Sequence, residues 1–310
     1  MHSRLIRLSM VLLLLASAGA AAPEPDRFGD GWHDGKAELD GYRYTVQRYG
    51  HARSGRAVAI YVTEPFSRAR HVKLDDPDRT PADAVEVLKL NLMRDFQTGI
   101  YDYHTMLSVF ADAADFAPLK VAFTSTEWCG QVNEELHVGP TGRSVLHRVS
   151  SYFEGENTQQ PLPLPSGGLQ EDALFIVLRG LRGAFLRPGE SRTVPFLASA
   201  FLRRLTHAPA VWRRATLTRL AAPRVTEVPA GRFECDLYEV RPDDGRLGRF
   251  ELERAWPHRV IRWQWQAAAG SGALEGADQG ELTGSMRIDY WRTHDPGDER
   301  LLADIGLAPR

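Results

Sequence analysis

A mainly β, antiparallel fold is predicted for this 310-residue chain, and three observations predict it. Apolar residues recur at every second position in run after run, turn chemistry separates the runs, and segments of helical periodicity are scarce. Such alternation gives a strand one packed and one wetted face, as in antiparallel sheets. One large curved sheet and two β subdomains with few short helices both satisfy the pattern.

Taken in order, Tyr42, Tyr44 and Val46 alternate with Arg43, Thr45 and Gln47. After a turn across Gly50 to Gly55, Val58, Ile60 and Val62 repeat the alternation, which predicts a hairpin. Residues 81–91 open like a helix behind Thr80, yet Val85-Glu-Val-Leu-Lys-Leu90 reads equally as a strand. Leu119-Val121-Phe123, Val145-His147-Val149, the run around Leu217, Phe233-Cys235-Leu237, Ile261-Trp263-Trp265 and Met286-Ile288-Tyr290 continue the period of two. Gly139-Pro-Thr-Gly142, Pro229-Ala-Gly231 and Asp243-Asp-Gly245 supply turns. Residues 172–181 are the better helix candidate, and the Ala- and Gly-rich stretch 267–280 reads as a hairpin loop. Gln159-Gln-Pro-Leu-Pro-Leu-Pro-Ser-Gly-Gly168 cannot be a central strand, because proline lacks the ladder donor. The organisation expected is a signal peptide at 1–20, an N-terminal β region at 21–158, a Pro/Gly-rich connection with a short helix at 159–190, and a C-terminal β region at 191–310.

The signal reading rests on Arg4 and Arg7, the apolar core Leu8-Ser-Met-Val-Leu-Leu-Leu-Leu-Ala16, and the small-residue pattern Ala18-Gly-Ala20. The core is shorter than the roughly 20 residues of a spanning helix, so cleavage and export to the periplasm are expected. No cysteine follows it, so a lipid anchor is not. The net charge is −2, and loss of the two signal arginines makes it more negative. Nucleic acid, which needs a concentrated basic face, is therefore not an expected partner. No second apolar stretch suits a transmembrane helix, and charges on both strand faces count against a transmembrane barrel. In an oxidising compartment Cys129 and Cys235, the only two cysteines, can form a disulfide or remain buried thiols.

Several runs resemble an uncharacterised bacterial envelope family of periplasmic proteins and lipoproteins. They are Gly35-Lys-Ala-Glu-Leu39, Arg48-Tyr-Gly-His-Ala-Arg53, Ala59-Ile-Tyr-Val-Thr-Glu-Pro-Phe66, Val87-Leu-Lys-Leu-Asn91 and Thr98-Gly-Ile-Tyr101. Glu127-Trp-Cys-Gly-Gln131, Ser151-Tyr-Phe-Glu-Gly-Glu156, Pro229-Ala-Gly-Arg-Phe233 and Arg287-Ile-Asp-Tyr-Trp291 extend the resemblance over nearly the whole chain. Some members carry the label "septum formation inhibitor Maf". The Maf enzymes are cytosolic nucleotide pyrophosphatases with a Ser-x-Ser-Pro-Arg-Arg start and an α/β fold, and this chain has neither. The resemblance thus implies compartment and fold class, and no activity.

The richest polar-aromatic clusters are Glu127-Trp-Cys-Gly-Gln131 and Ser151-Tyr-Phe-Glu-Gly-Glu156. Trp-Cys-Gly lacks the second cysteine of a dithiol redox centre, since Val132 stands there. Glu154 and Glu156 would share one face of an uninterrupted strand, where paired carboxylates can do acid-base work. If the strands near 119–128 and 144–154 lie close, Glu127, Trp128, Gln131, Tyr152, Glu154 and Glu156 form one ligand-binding patch. Metal-ligand spacings, phosphate loops and nucleophile elbows are absent, so neither metal nor cofactor is expected. Trp263, Trp265 and Trp291 are expected in packing. The leading expectation is a non-enzymatic binding or envelope-maintenance protein for a lipid, glycan or other envelope component. The alternative is a periplasmic hydrolase using the Glu pair or Cys129.

Overall fold

The computed structural model describes residues 27–76, 81–139, 141–267 and 275–308. The expected signal lies outside the described residues.

Alternating burial makes the chain mostly strand. The first half forms β1 (Ala37–Arg48), β2 (His51–Ser67), β3 (Val72–Lys73), β4 (Ala84–Thr98), β5 (Tyr101–Asp112), β6 (Pro118–Glu127), β7 (Gly130–Val138), β8 (Ser144–Ser151) and β9 (Thr158–Pro163). After β10 (Leu169–Gln170), a one-turn 3-10 helix (Glu171–Ala173) and a short α-helix (Leu174–Val177) precede β11 (Ser191–Leu197). A seven-residue helix (Ala200–Thr206) leads into β12 (Trp212–Arg219), β13 (Arg224–Val228), β14 (Gly231–Pro242), β15 (Arg246–Glu253), β16 (Val260–Ala267) and β17 (Asp278–Ile288). In chain order the α-helices are α1 (Arg27–Trp32), α2 (Leu174–Val177) and α3 (Ala200–Thr206).

All seventeen strands among the described residues belong to one sheet. Its hydrogen-bonded order runs β9-β8-β7-β6-β5-β4-β2-β1-β17-β16-β15-β14-β12-β11-β10, with β3 added to β2 and β13 to β14. Among the described residues every pairing between these strands is antiparallel except β10 with β11. The β1/β17 ladder, from Ala37 opposite Ile288 to Val46 opposite Asp278, joins the two halves of the chain.

The sheet curves around the segment 169–206. Phe175 of α2 meets Phe250 of β15 and Trp263 of β16, and its carbonyl accepts a hydrogen bond from Tyr61 of β2. Phe201 of α3 meets Phe123 of β6. Strands from both halves therefore bury their inward residues on the same two short helices, which fill the concave side. Trp263 is fully buried, and Gly280 opposite it is needed for room, since a Cβ there would stand 2.0 Å from the indole. On the convex face a smaller cluster of Leu39, Ile60 and Val62 is covered by Ile305 and Leu307.

Several expectations meet specific outcomes. The ambiguous stretch after residue 81 is strand β4, because its apolar residues alternate between two packed faces. The first hairpin turns at Tyr49-Gly50, so Gly55 lies within β2. Residues 159–163 belong to edge strand β9, where proline's missing donor costs no ladder bond to a further strand. The loop expected at 267–280 is shorter at its far end, because Asp278 to Gly280 pair with β1; residues 268–274 lie outside those described. Trp263 and Trp265 are core, whereas Trp291, in a 3-10 helix past the end of β17, is 46% exposed. No bridge joins the cysteines: Cys129 is exposed in the β6–β7 turn and Cys235 is buried within β14, in the other half of the sheet. Among the described residues no helix is long and apolar enough to cross a membrane.

Candidate functional site

At the β9 edge the concave face runs past its helical cover, and a cleft of about 340 Å³ opens between β7–β9 and α3. Antiparallel register dictates its wall. Glu134 lies opposite Val149, His147 opposite Gln160, and Val149 opposite Thr158. Period two sends all of these side chains to the inner face.

Helix α3 supplies the other wall. Ser199 caps it, its Oγ accepting from the Leu202 amide at 3.1 Å, and His207 ends it in the left-handed conformation at φ 54°. The cap orients a single turn carrying Arg203, Arg204 and His207 toward the strands. Arg203 Nη2 donates to Glu134 Oε1 at 2.5 Å, and His147 Nε2 lies 2.8 Å from the same oxygen. Arg204 donates to the buried Glu127 and lies over the Phe153 ring, 4.0 Å from its centroid. His207 Nδ1 is 2.5 Å from Glu156 Oε1, and Ser151 Oγ donates to the second carboxylate oxygen at 2.5 Å.

Burial alone would raise the Glu134 carboxyl, but the Arg203 charge and the His147 and Arg203 hydrogen bonds outweigh it and hold the group below its usual range. Glu156 is also lowered: burial works against it, and the Ser151 and His207 hydrogen bonds prevail. Both carboxylates are thus ionised at neutral pH. Not every polar group is matched. His147 Nδ1, Arg203 Nε, and Arg204 Nε and Nη1 are buried and without a hydrogen-bond partner among the described residues. Unmatched buried polar groups are costly; these atoms are enclosed within side chains whose other parts line one cleft.

The two clusters singled out in the sequence do come together, since β6 and β8 both flank β7. The Tyr152 amide donates to the Gln131 carbonyl at 3.0 Å, and the Tyr152 ring packs on Gly130, where a Cβ would stand 2.4 Å away. Their residues nevertheless separate by role. Glu156 lines the cleft, and Glu127 is buried behind it through Arg204. Trp128, Gln131, Tyr152 and Glu154 are exposed and are not among the lining side chains. Glu154 and Glu156 share no strand face, because a turn with Gly155 at φ 79° breaks the strand between β8 and β9. Arg203, Arg204, His207 and Glu134 were not singled out by motif. Their one sequence signal is a pair of arginines inside an otherwise apolar helical turn, followed three residues later by histidine.

Cys129 is a free exposed thiol, and no imidazole hydrogen-bonds it among the described residues. No group of three or more metal-ligating side chains occurs among those residues.

Compared with known proteins, the chain matches no family model and no curated sequence. Among solved structures it is similar to a Bacteroides fragilis protein described as exported and as having a YmcC-like fold, at 12% identity and a TM-score of 0.22 over 80% of this chain and 95% of that one. At that distance the likeness transfers neither a site nor a function.

Proposed function

We propose that this chain is a non-catalytic binding protein of the bacterial envelope, and that the cleft between α3 and β7–β9 takes a short, hydroxyl-rich saccharide. The observation that carries the reading is an open cleft of about 340 Å³ in which Arg203, Arg204, His147 and His207 meet the ionised Glu134 and Glu156. The rim adds the side chains of Asn157, Thr158 and Gln160, and Val132, Val149 and Pro209 add apolar surface. That mixture of apolar wall and few directed polar groups suits a small ligand, and the volume lies at the lower end for such sites.

Two observations favour a polar ligand and no turnover. The concave side, where a lipid chain would be sheltered, is filled by Phe175, Ile176 and Phe201. A glycosidase needs one carboxyl kept protonated as general acid, whereas Glu134 and Glu156 are both held ionised. The envelope address is supported by the signal-like residues 1–20 and by the sequence resemblance. The test is isothermal titration with a panel of envelope-type oligosaccharides against wild type, Gln160→Ala and His207→Ala. Saturable binding to wild type, weakened about tenfold or more in the variants with unchanged melting, supports the reading. Release of free sugar during incubation refutes it.

A further inference from the structure

At the opposite end of β7 and β8, on the convex face, lies a second cavity of about 390 Å³. Arg70 and His71, from the turn after β2, face His137 of β7, Ser144 and Arg148 of β8, and Pro161 of β9 across it. The His71 and His137 rings stack at 4.6 Å with an interplanar angle of 22°. His71 has a left-handed backbone at φ 55°, uncommon for a side chain of this size. Its Nε2 lies 2.9 Å from the Val138 carbonyl, which can only accept, so Nε2 carries the proton and Nδ1 remains available.

The charge in this groove is lopsided. Arg68, two residues before Arg70, is paired with Asp112. Arg70 uses its Nε on the Ser67 hydroxyl, at 3.3 Å, and forms no salt bridge among the described residues. Arg148 likewise has no carboxylate within bonding distance among them. Two acids lie near: Asp83, which accepts from the same Ser67 hydroxyl and feels the Arg70 charge, and Glu135, which is held by Lys120 at 2.9 Å and lies 3.2 Å from His137. The imidazole senses the excess. Burial is the main cause that pushes His137 down to about 4; Glu135 opposes it, and the neighbouring His71, Lys120 and Arg148 lower it further. Two guanidiniums with no salt-bridge partner among the described residues stand beside the stacked imidazoles, and guanidinium forks are a recognition set for tetrahedral oxyanions.

We propose that this groove is a second ligand site that binds a phosphate or sulfate group, held by Arg70 and Arg148 beside the stacked rings of His71 and His137. The same chemistry is offered by a free phosphate, a phosphorylated sugar and an anionic lipid headgroup, and the experiment separates them.

Histidine ring resonances are followed by NMR while inorganic phosphate, inorganic sulfate and a sugar phosphate are added to the full chain. The same protein is tested for sedimentation with vesicles of phosphatidylglycerol and, as control, phosphatidylcholine. The site requires saturable shifts of the His71 and His137 signals by at least one soluble anion, weakened about tenfold or more in Arg70→Gln/Arg148→Gln with unchanged melting. Retention of phosphate binding in His207→Ala separates this groove from the saccharide cleft, so either site can fail alone. Selective sedimentation with phosphatidylglycerol, lost in the arginine variant, identifies the anion as a headgroup; soluble binding without it identifies a solute. No saturable shift with any soluble anion, or equal binding by the arginine variant, overturns the proposal.

Discussion

At Glu134 one buried carboxylate holds two partners from different elements, Arg203 of α3 and His147 of β8. Removing one member of such a set leaves the others buried and unmatched, a loss of roughly 3–5 kcal/mol. Glu134→Gln is therefore expected to lower the melting temperature strongly, whereas the partly exposed His207→Ala is expected to change it little. Differential scanning fluorimetry of the two variants checks this. A second residue gives a pH test. Asp172 is fully buried, and its carboxyl is raised to about 7, chiefly by burial, with Glu171 adding to the rise and Arg203 opposing it. A carboxyl with a folded pKa above its unfolded value of 3.8 binds more protons in the native state between those limits. Its contribution is complete at acid pH and lost as pH rises through about 7. Asp172→Asn should thus gain stability relative to wild type as pH rises from acid to neutral, by on the order of 2–4 kcal/mol. Paired urea titrations at acid and mildly alkaline pH show it; an unchanged difference contradicts it.

At the scale of elements, the hairpins show what was legible in the sequence. The alternation of Tyr42, Tyr44 and Val46 with polar residues indicated β1, and the same period in β6, β8, β14 and β16 was equally plain. It was readable because each of these strands packs one face on the interior. Strand β4 was ambiguous because both of its faces are packed, which erases the simple in-and-out signal. The site was less legible. Proximity of the 127–131 and 151–156 segments followed from strand order, but the cleft's other wall is α3, seven residues long and remote in sequence. A periodicity rule has little to work on in two turns of helix. The exposed rim gives the matching prediction. Trp128 is 68% exposed, so Trp128→Ala should move stability by no more than about 0.5 kcal/mol. Gly280→Ala in β17, by contrast, drives a methyl into the Trp263 ring and should cost about 1–3 kcal/mol or more. Urea denaturation of both variants separates a tip from a core element.

For the whole molecule, one sheet joined through the β1/β17 ladder and filled by the 169–206 segment does not depend on a disulfide. Cys129 is exposed and Cys235 is buried, with burial raising the latter's thiol to about 11. Ellman's reagent should therefore titrate one thiol in the native protein and two after denaturation, and dithiothreitol should leave the melting temperature unchanged. The central claim concerns the cleft, where ionised Glu134 and Glu156 meet the side chains of His147, Arg203, Arg204 and His207. Its most direct measurement is saturation-transfer NMR of an envelope-type oligosaccharide panel with wild type and Gln160→Ala. The cleft predicts transfer to at least one saccharide, diminished in the variant, with that saccharide intact at the end. Absence of transfer across the panel, equal transfer to the variant, or hydrolysis of the bound sugar would contradict it.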